Sequence, residues 1–165
     1  MERRLMKTIT IDPRKCVGCR NCEMACAYEK SKSSCEVDFA NIRVNDYIEE
    51  RFVVPMTCFH CEEAWCLKVC PAHAISRDPE TNAVILDQTK CAGCKMCILS
   101  CPYGNIHFDH EKKVSFKCDL CGGDPRCVTH CISGALQFEE VDDAITRKRV
   151  RTDHKIKAMY LDANK

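Results

Sequence analysis

The chain has 165 residues, 17 of them cysteine, and a formal net charge of +1 that counts every thiol as neutral. That length allows one compact domain or two small ones, and cysteine at about 10% leaves a disulfide framework or bound metal as the choices. No apolar run approaches the roughly 18 residues that a bilayer crossing needs, so no direct membrane span is expected.

The N-terminal segment MERRLMKTITID carries basic residues but no apolar h-region. It is not expected to be a secretion signal, and Arg3-Arg4 lacks the h-region that a twin-arginine signal requires. The expected location is cytoplasmic, unless a partner with its own signal carries the chain out. Thiols stay reduced in the cytoplasm, so these cysteines are expected to bind metal rather than pair as disulfides.

Residues 7–12, KTITID, read as a first strand. They lead into the first quartet, 16-CVGCRNCEMAC-26, with Cys16, Cys19, Cys22 and Cys26. Residues 31–56 form a long insertion that fits no cluster role, and Cys35 within it is read as a spare thiol. The second quartet, 58-CFHCEEAWCLKVCP-71, holds Cys58, Cys61, Cys66 and Cys70. Residues 74–87 place two apolar stretches around Asp78-Pro79-Glu80-Thr81-Asn82 and read as a hairpin. The third quartet, 91-CAGCKMCILSCP-102, holds Cys91, Cys94, Cys97 and Cys101. Residues 105–117 alternate on both sides of a charged turn and read as a second hairpin. The fourth quartet, 118-CDLCGGDPRCVTHC-131, holds Cys118, Cys121, Cys127 and Cys131. Residues around the third and fourth cysteines of each quartet are expected to make one short helical turn. The tail, 144–165, is basic; a nucleic-acid role fits it poorly, because the run is short and has little aromatic interleaving.

Every quartet ends in C-x3-C. Three cysteines sit in a loop that can wrap one inorganic cube, and the fourth lies about one helical turn on and points elsewhere. In the bacterial run C-x2-C-x2-C-x3-C-P the fourth cysteine ligates the other cluster of a pair. Quartets one and three match that cysteine spacing; quartet two widens the gap before its third cysteine to four residues and quartet four to five. The quartets must therefore exchange ligands, and sixteen cysteines serve four 4Fe–4S clusters. Four such centres with thiolate ligands move the net charge from +1 to roughly −7, since each oxidised cluster with its thiolates carries about 2−. Zinc is the alternative, but zinc knuckles pair two C-x2-C hooks rather than three close cysteines and a distant fourth.

The halves echo each other: 11-IDPRKCVGC-19 aligns with 86-LDQTKCAGC-94. After the terminal cysteines, 70-CPAHAI-75, 101-CPYGNI-106 and 131-CISGAL-136 each read as a turn that launches a strand. Gly18 and Gly93 stand where backbone must approach a cube, Pro71 and Pro102 end the turns, and His73 takes the place of Gly104 and Gly134, so it is strained if that place needs positive φ. The aliphatic core is thin, which predicts a largely unfolded apoprotein. Lys15, Lys90 and Lys117 each precede a first cysteine and are read as solvated loop lysines, although a fixed cation there would raise a cluster's potential. His60 and His130 are read as packing or surface residues, and Phe59, Trp65 and Tyr103 as loop-packing groups. There is no P-loop and no G-x-G-x-x-G fingerprint. Sixteen ligands for four cubes leave no open iron, which implies electron transfer without catalysis.

The motifs CVGCRNCEMAC, 41-NIRV-44, CFHCEEAWCLKVCP and 117-KCDLCGGDPRC-127 give the chain, over about residues 8–139, a resemblance to a known family. It resembles the four-cluster ferredoxin-like electron-transfer subunits of molybdenum, tungsten and hydrogenase complexes, the group of the dimethyl sulfoxide reductase and formate dehydrogenase iron–sulfur subunits. In style it is similar to small subunits partnering aldehyde ferredoxin oxidoreductase-type tungsten enzymes, such as the benzoyl-CoA reductase complex.

The resemblance implies an α+β, tandem ferredoxin-like fold, a duplicated bacterial two-cluster ferredoxin. Residues 1–143 would form the tetracluster domain and 144–165 a tail that docks on a partner. It also implies the ligand exchange: Cys16, Cys19, Cys22 and Cys131 for one cluster; Cys58, Cys61, Cys66 and Cys101 for a second; Cys91, Cys94, Cys97 and Cys70 for a third; Cys118, Cys121, Cys127 and Cys26 for a fourth. The implied role is a non-catalytic relay to a larger tungsten or molybdenum pterin subunit, with a further redox subunit or ferredoxin as a second partner. The alternatives are a free-standing polyferredoxin, a hydrogenase- or formate dehydrogenase-linked subunit, and a zinc-stabilised interaction module.

Overall fold

The computed structural model of the chain describes residues 7–142 and 145. Its elements are short, and ligand loops separate them. Strand β1 (Lys7–Ile11) pairs antiparallel with the last strand, β8 (Leu136–Glu140), with Ile11 opposite Leu136. Between them lie three hairpins: β2 (Ile42–Tyr47) with β3 (Phe52–Thr57), β4 (Ile75–Arg77) with β5 (Val84–Leu86), and β6 (His107–Asp109) with β7 (Val114–Phe116). Helices α1 (Asn21–Ser31), α2 (Trp65–Lys68), α3 (Met96–Ser100) and α4 (Arg126–Thr129) each carry the third cysteine of a quartet. These elements make up the expected α+β, tandem ferredoxin-like architecture of short hairpins and short helices.

The duplication is nested. The Asp12 N–H donates to the Ala135 carbonyl at 2.8 Å, and the Asp87 N–H donates to the Ala74 carbonyl at 2.8 Å. So the strand entering quartet one is zipped to the strand leaving quartet four. The strand entering quartet three is likewise zipped to the strand leaving quartet two. Helix packing follows the same rule, α1 against α4 and α2 against α3.

Two cores result. Ile9, Ala27, Ile42, Val44, Leu120 and Leu136 pack with Cys22, Cys26, Cys118 and Cys127 in the outer half. In the inner half a smaller core of Ala64, Ile75, Val84, Cys97 and Ile106 is flanked by Cys66, Cys70 and Cys101. Cysteine is thus a core residue on both sides, and its sulfurs lie where aliphatic carbons would otherwise close the interior.

Two expectations are corrected. The helical turn after quartet one runs 11 residues rather than one turn, because Cys22, Glu23, Cys26 and Ala27 form a buried stripe at helical spacing. The insertion 31–56 is not idle. It buries Ala40, just ahead of the β2–β3 hairpin, and Ile42 and Val44 of β2 against α1. The Val44 N–H donates to Glu23 Oε1 at 2.7 Å, so a nearly inaccessible carboxylate pins the hairpin to the helix. The expected docking tail, 144–165, lies almost entirely outside the described residues.

Candidate metal centres

Each ligand loop turns through left-handed backbone at the residue before its second cysteine. Gly18 and Gly93 have φ +68°, as glycine allows, but His60 (φ 48°) and Leu120 (φ 57°) hold the same conformation with side chains. The turn bends backbone N–H groups onto sulfur. In quartet two the His60 N–H donates to Cys58 Sγ at 3.5 Å, and in quartet four the Leu120 N–H donates to Cys118 Sγ at 3.4 Å. Sequence alignment of the four C-x-x-C steps carried this signal, since His60 and Leu120 occupy the glycine place. After the terminal cysteines, His73 (φ 47°) adopts the left-handed backbone of Gly104 and Gly134 (both φ 65°), as expected if that place requires it.

Other elements add donors to the sulfurs. Asn41, from the insertion, donates its N–H to Cys26 Sγ at 3.2 Å. Leu136 at the start of β8 donates to Cys131 Sγ at 3.4 Å, and Ser115 of β7 to Cys91 Sγ at 3.5 Å. Such bonds stabilise thiolate over thiol and are one of the levers on the potential of a bound iron–sulfur centre.

The quartets meet in pairs. One cavity is lined by Cys16, Cys19, Cys22 and Cys131, together with Val44, Pro55 and Leu136. A larger one, about 260 Å³, is lined by Cys58, Cys61, Cys66 and Cys101 with His60, Phe59, Trp65 and Tyr103. Electrostatic neighbours add further contacts between quartets. The charge of Cys70 acts on Cys97, alongside that of Cys91. Cys127 feels Cys118, then Cys26 and Cys121, and more weakly Cys22. Among the described residues no three or more His, Cys, Asp or Glu close on a single-ion centre. The sulfurs of Cys58, Cys61, Cys66 and Cys101 stand around a cavity of about 260 Å³, which suits a bulky inorganic core and fits poorly with zinc, whose sulfurs lie about 2.3 Å from the ion.

Burial sets the thiol chemistry. It pushes Cys22 and Cys118 up to about 12 and raises Cys127 further. Cys131 moves the other way, because N–H donors from Leu136 and Ala135 and the Ser133 hydroxyl outweigh its partial burial. Burial likewise raises Cys26, Cys61, Cys66 and Cys97, so a metal must displace firmly held protons from these ligands, while the proton on Cys131 is held less firmly.

The three lysines divide. Lys15 and Lys90 are exposed, as expected, and Lys90 lies 3.4 Å from Asp87. Lys117 is only 6% exposed, which corrects its reading as a solvated loop residue. Its ammonium donates to the Val84 carbonyl and, at 2.8 Å, to the Cys118 carbonyl. His60 is not a simple packing group either. Its Nδ1 accepts the Val84 N–H at 3.0 Å, while Nε2 is buried without a partner. Burial, with Lys117 and Arg77 nearby, pulls its pKa down to about 3, so the ring is neutral. His130 is exposed, its Nδ1 lying 2.9 Å from the Arg126 carbonyl. Phe59 and Tyr103 pack edge to face at 4.8 Å, and Trp65 lies half-exposed beside Lys68. Cys35 is exposed.

Comparison with known proteins matches residues 49–141 to the 4Fe-4S dicluster domain and residues 8–30 to a 4Fe-4S binding domain. The putative electron transport protein YsaA of Escherichia coli is 37% identical over 155 residues, covering 87% of this chain and 95% of that protein. The B subunit of anaerobic dimethyl sulfoxide reductase from the same organism is 34% identical over 151 residues, covering 81% of this chain and 73% of that subunit. The solved active-site complex BamBC of benzoyl-coenzyme A reductase is similar at a TM-score of 0.52 and 27% identity. The match covers 84% of this chain and 80% of the other.

Proposed function

Because the chain belongs to the 4Fe–4S dicluster domain family, we propose that it is the electron-transfer subunit of an oxidoreductase complex, relaying single electrons to or from a larger catalytic subunit. Its cofactors are four 4Fe–4S clusters, each of which, bound by four thiolates, gives or takes one electron and offers no open iron to a substrate. The chain is therefore not itself catalytic.

The sixteen quartet cysteines divide into four sets. Cys16, Cys19, Cys22 and Cys131 hold one cluster, and Cys118, Cys121, Cys127 and Cys26 hold its neighbour. Cys58, Cys61, Cys66 and Cys101 hold a third, and Cys91, Cys94, Cys97 and Cys70 a fourth. The observation that carries this reading is that terminal cysteines line the cavities of partner quartets, Cys131 with quartet one and Cys101 with quartet two. The two neighbouring halves together make a chain of centres. Apolar residues stand exposed beside two of the centres: Met24, Tyr28 and Ile132 beside Cys131, and Phe59, Trp65 and Tyr103 beside Cys101. These are the faces on which partners dock, because electron transfer between proteins requires close approach. The catalytic partner is a tungsten or molybdenum pterin oxidoreductase subunit, as the resemblance of the cysteine motifs implies. The tail 144–165 contributes to that docking. The cytoplasmic location follows from the need to keep these thiols reduced. Among the described residues no helix is long and apolar enough to cross a membrane.

Anaerobic purification from native cells tests the reading. Iron and acid-labile sulfide should be near sixteen of each per chain, as four cubes require, and the chain should co-elute with a larger metalloenzyme subunit. Zinc without sulfide would overturn the cofactor assignment. A lone chain carrying full iron would make it a free-standing polyferredoxin instead.

A further inference from the structure

Lysine is rarely buried unless paired, and an isolated ammonium in a protein interior is costly. Lys117 is 6% exposed, and no carboxylate pairs with it among the described residues. Its two acceptors are the carbonyls of Val84 and Cys118, which are neutral. Lys117 lies within electrostatic reach of Cys61 and Cys66 of one centre and of Cys118 of the next, so thiolate sulfur is the negative charge near it. It therefore lies where the two halves of the molecule meet. His60 is fastened to the same peptide, since the Val84 N–H that occupies its Nδ1 belongs to the residue whose carbonyl Lys117 holds. That bond fixes the tautomer with hydrogen on Nε2, which is buried and unpartnered, on a residue that is part of the wall around Cys58, Cys61, Cys66 and Cys101.

We propose that Lys117 and His60, clamped on the backbone of Val84, are a potential-setting pair for the junction between the two halves. Lys117 is a fixed cation shared by the centre of Cys58, Cys61, Cys66 and Cys101 and the centre of Cys118, Cys121, Cys127 and Cys26. His60 is a neutral N–H donor to the first of these alone. A cation and an N–H donor both favour the more negative, reduced form, so the pair keeps the junction from becoming an uphill step between the ends. The inference rests on the cluster assignment proposed above.

The test is an EPR-monitored redox titration of the cluster-loaded chain in its native complex. Lys117→Met should lower the potentials of two of the four centres, each by about 59 mV, a tenfold fall in the reduced-to-oxidised ratio at fixed potential. Lys117→Arg should restore both. His60→Leu should lower one centre only, by a smaller amount. Full cluster content with unmoved potentials overturns the proposal. If Lys117→Met does not load, Lys117→Gln keeps a donor for the Val84 carbonyl and removes only the charge. Loss of clusters in both variants makes Lys117 a folding residue and also overturns it. Wild-type chain lacking four clusters would instead sink the underlying assignment, so the two failures are distinguishable.

Discussion

The outer and inner halves share one plan and differ in how much protein supports it. In the outer half, an 11-residue helix, a five-residue strand pair and the covering β2–β3 hairpin pack aliphatic side chains around the cysteines. The inner half has helices of four and five residues, three-residue ladders and five buried side chains at its core. The same ligand geometry is thus held mainly by packing on one side and mainly by the metal on the other. That difference ranks the expected effects of breaking each part.

Removing the iron should have the largest effect. Metal-binding free energy counts as folding free energy wherever the apo site is not preformed, and the inner half has little else. Anaerobic chelation followed by hydrogen-exchange mass spectrometry should show residues 58–116 losing protection first. Residues 21–31 and 42–57 should keep partial protection longer. Simultaneous loss throughout would mean that the outer core is no more self-sufficient than the inner one.

Gly93 and Gly18 offer a matched pair within that comparison. Both sit at φ +68°, but a Cβ on Gly93 would lie 2.3 Å from the Lys113 carbonyl oxygen, whereas one on Gly18 would meet only the Val53 side chain at 3.7 Å. Gly18→Ala should therefore cost about 1 kcal/mol, the left-handed penalty alone. Gly93→Ala must also displace backbone, so roughly 3 kcal/mol or more is expected, with loss of the neighbouring cluster. Iron content and denaturation midpoints of the two variants check this. Equal losses would show that φ, not crowding, governs both loops. A smaller effect is expected in the outer half from Glu23→Ala, which strands the buried Val44 N–H at about 2 kcal/mol. Glu23→Gln should recover most of that loss, because an amide oxygen can still accept.

The cluster motifs were legible because ligation constrains spacing, and spacing is a one-dimensional property. The quartets, the two hairpins at 74–87 and 105–117 and the internal repeat could all be read from residues close in sequence, whereas the nesting of the halves was implied only by the family resemblance. Three features could not. Lys117 has the same local context as Lys15 and Lys90, a lysine before a first cysteine. Only the distant Val84 carbonyl makes it a buried residue. The insertion hides its role because it acts through main-chain groups, the Asn41 and Val44 N–H, which no side-chain pattern reveals. The length of α1 was missed because its buried stripe includes Cys22, Glu23 and Cys26, which read as ligands and charge rather than as core.

The smallest effect tests whether the outer half's advantage is partly electrostatic. Lys30 on α1 reaches Asp119 in the quartet-four loop at 2.5 Å, and the same carboxylate accepts the Cys121 N–H at 2.9 Å. Burial would lower the pKa of Lys30, but its bond to Asp119 more than reverses that, and the pKa is raised. Burial would likewise raise Asp119, and Lys30 brings it below the usual carboxylate value. A raised lysine contributes stability that is fully present below about pH 10.4 and fades as pH rises through its folded value; a depressed aspartate contributes above about pH 3.9 and fades as pH falls through its own. Between those limits Lys30→Met should be less stable than wild type by under about 1 kcal/mol, because Asp119 is 43% exposed and solvent screens the pair. Acid decomposes iron–sulfur centres, so the alkaline limb is the usable one. The difference in guanidinium midpoint for loss of cluster absorbance should hold steady to pH 9 and shrink above pH 10. A difference that persists unchanged at pH 11 would assign the loss to packing of the lysine stem, leaving the contrast between the halves a matter of apolar burial alone.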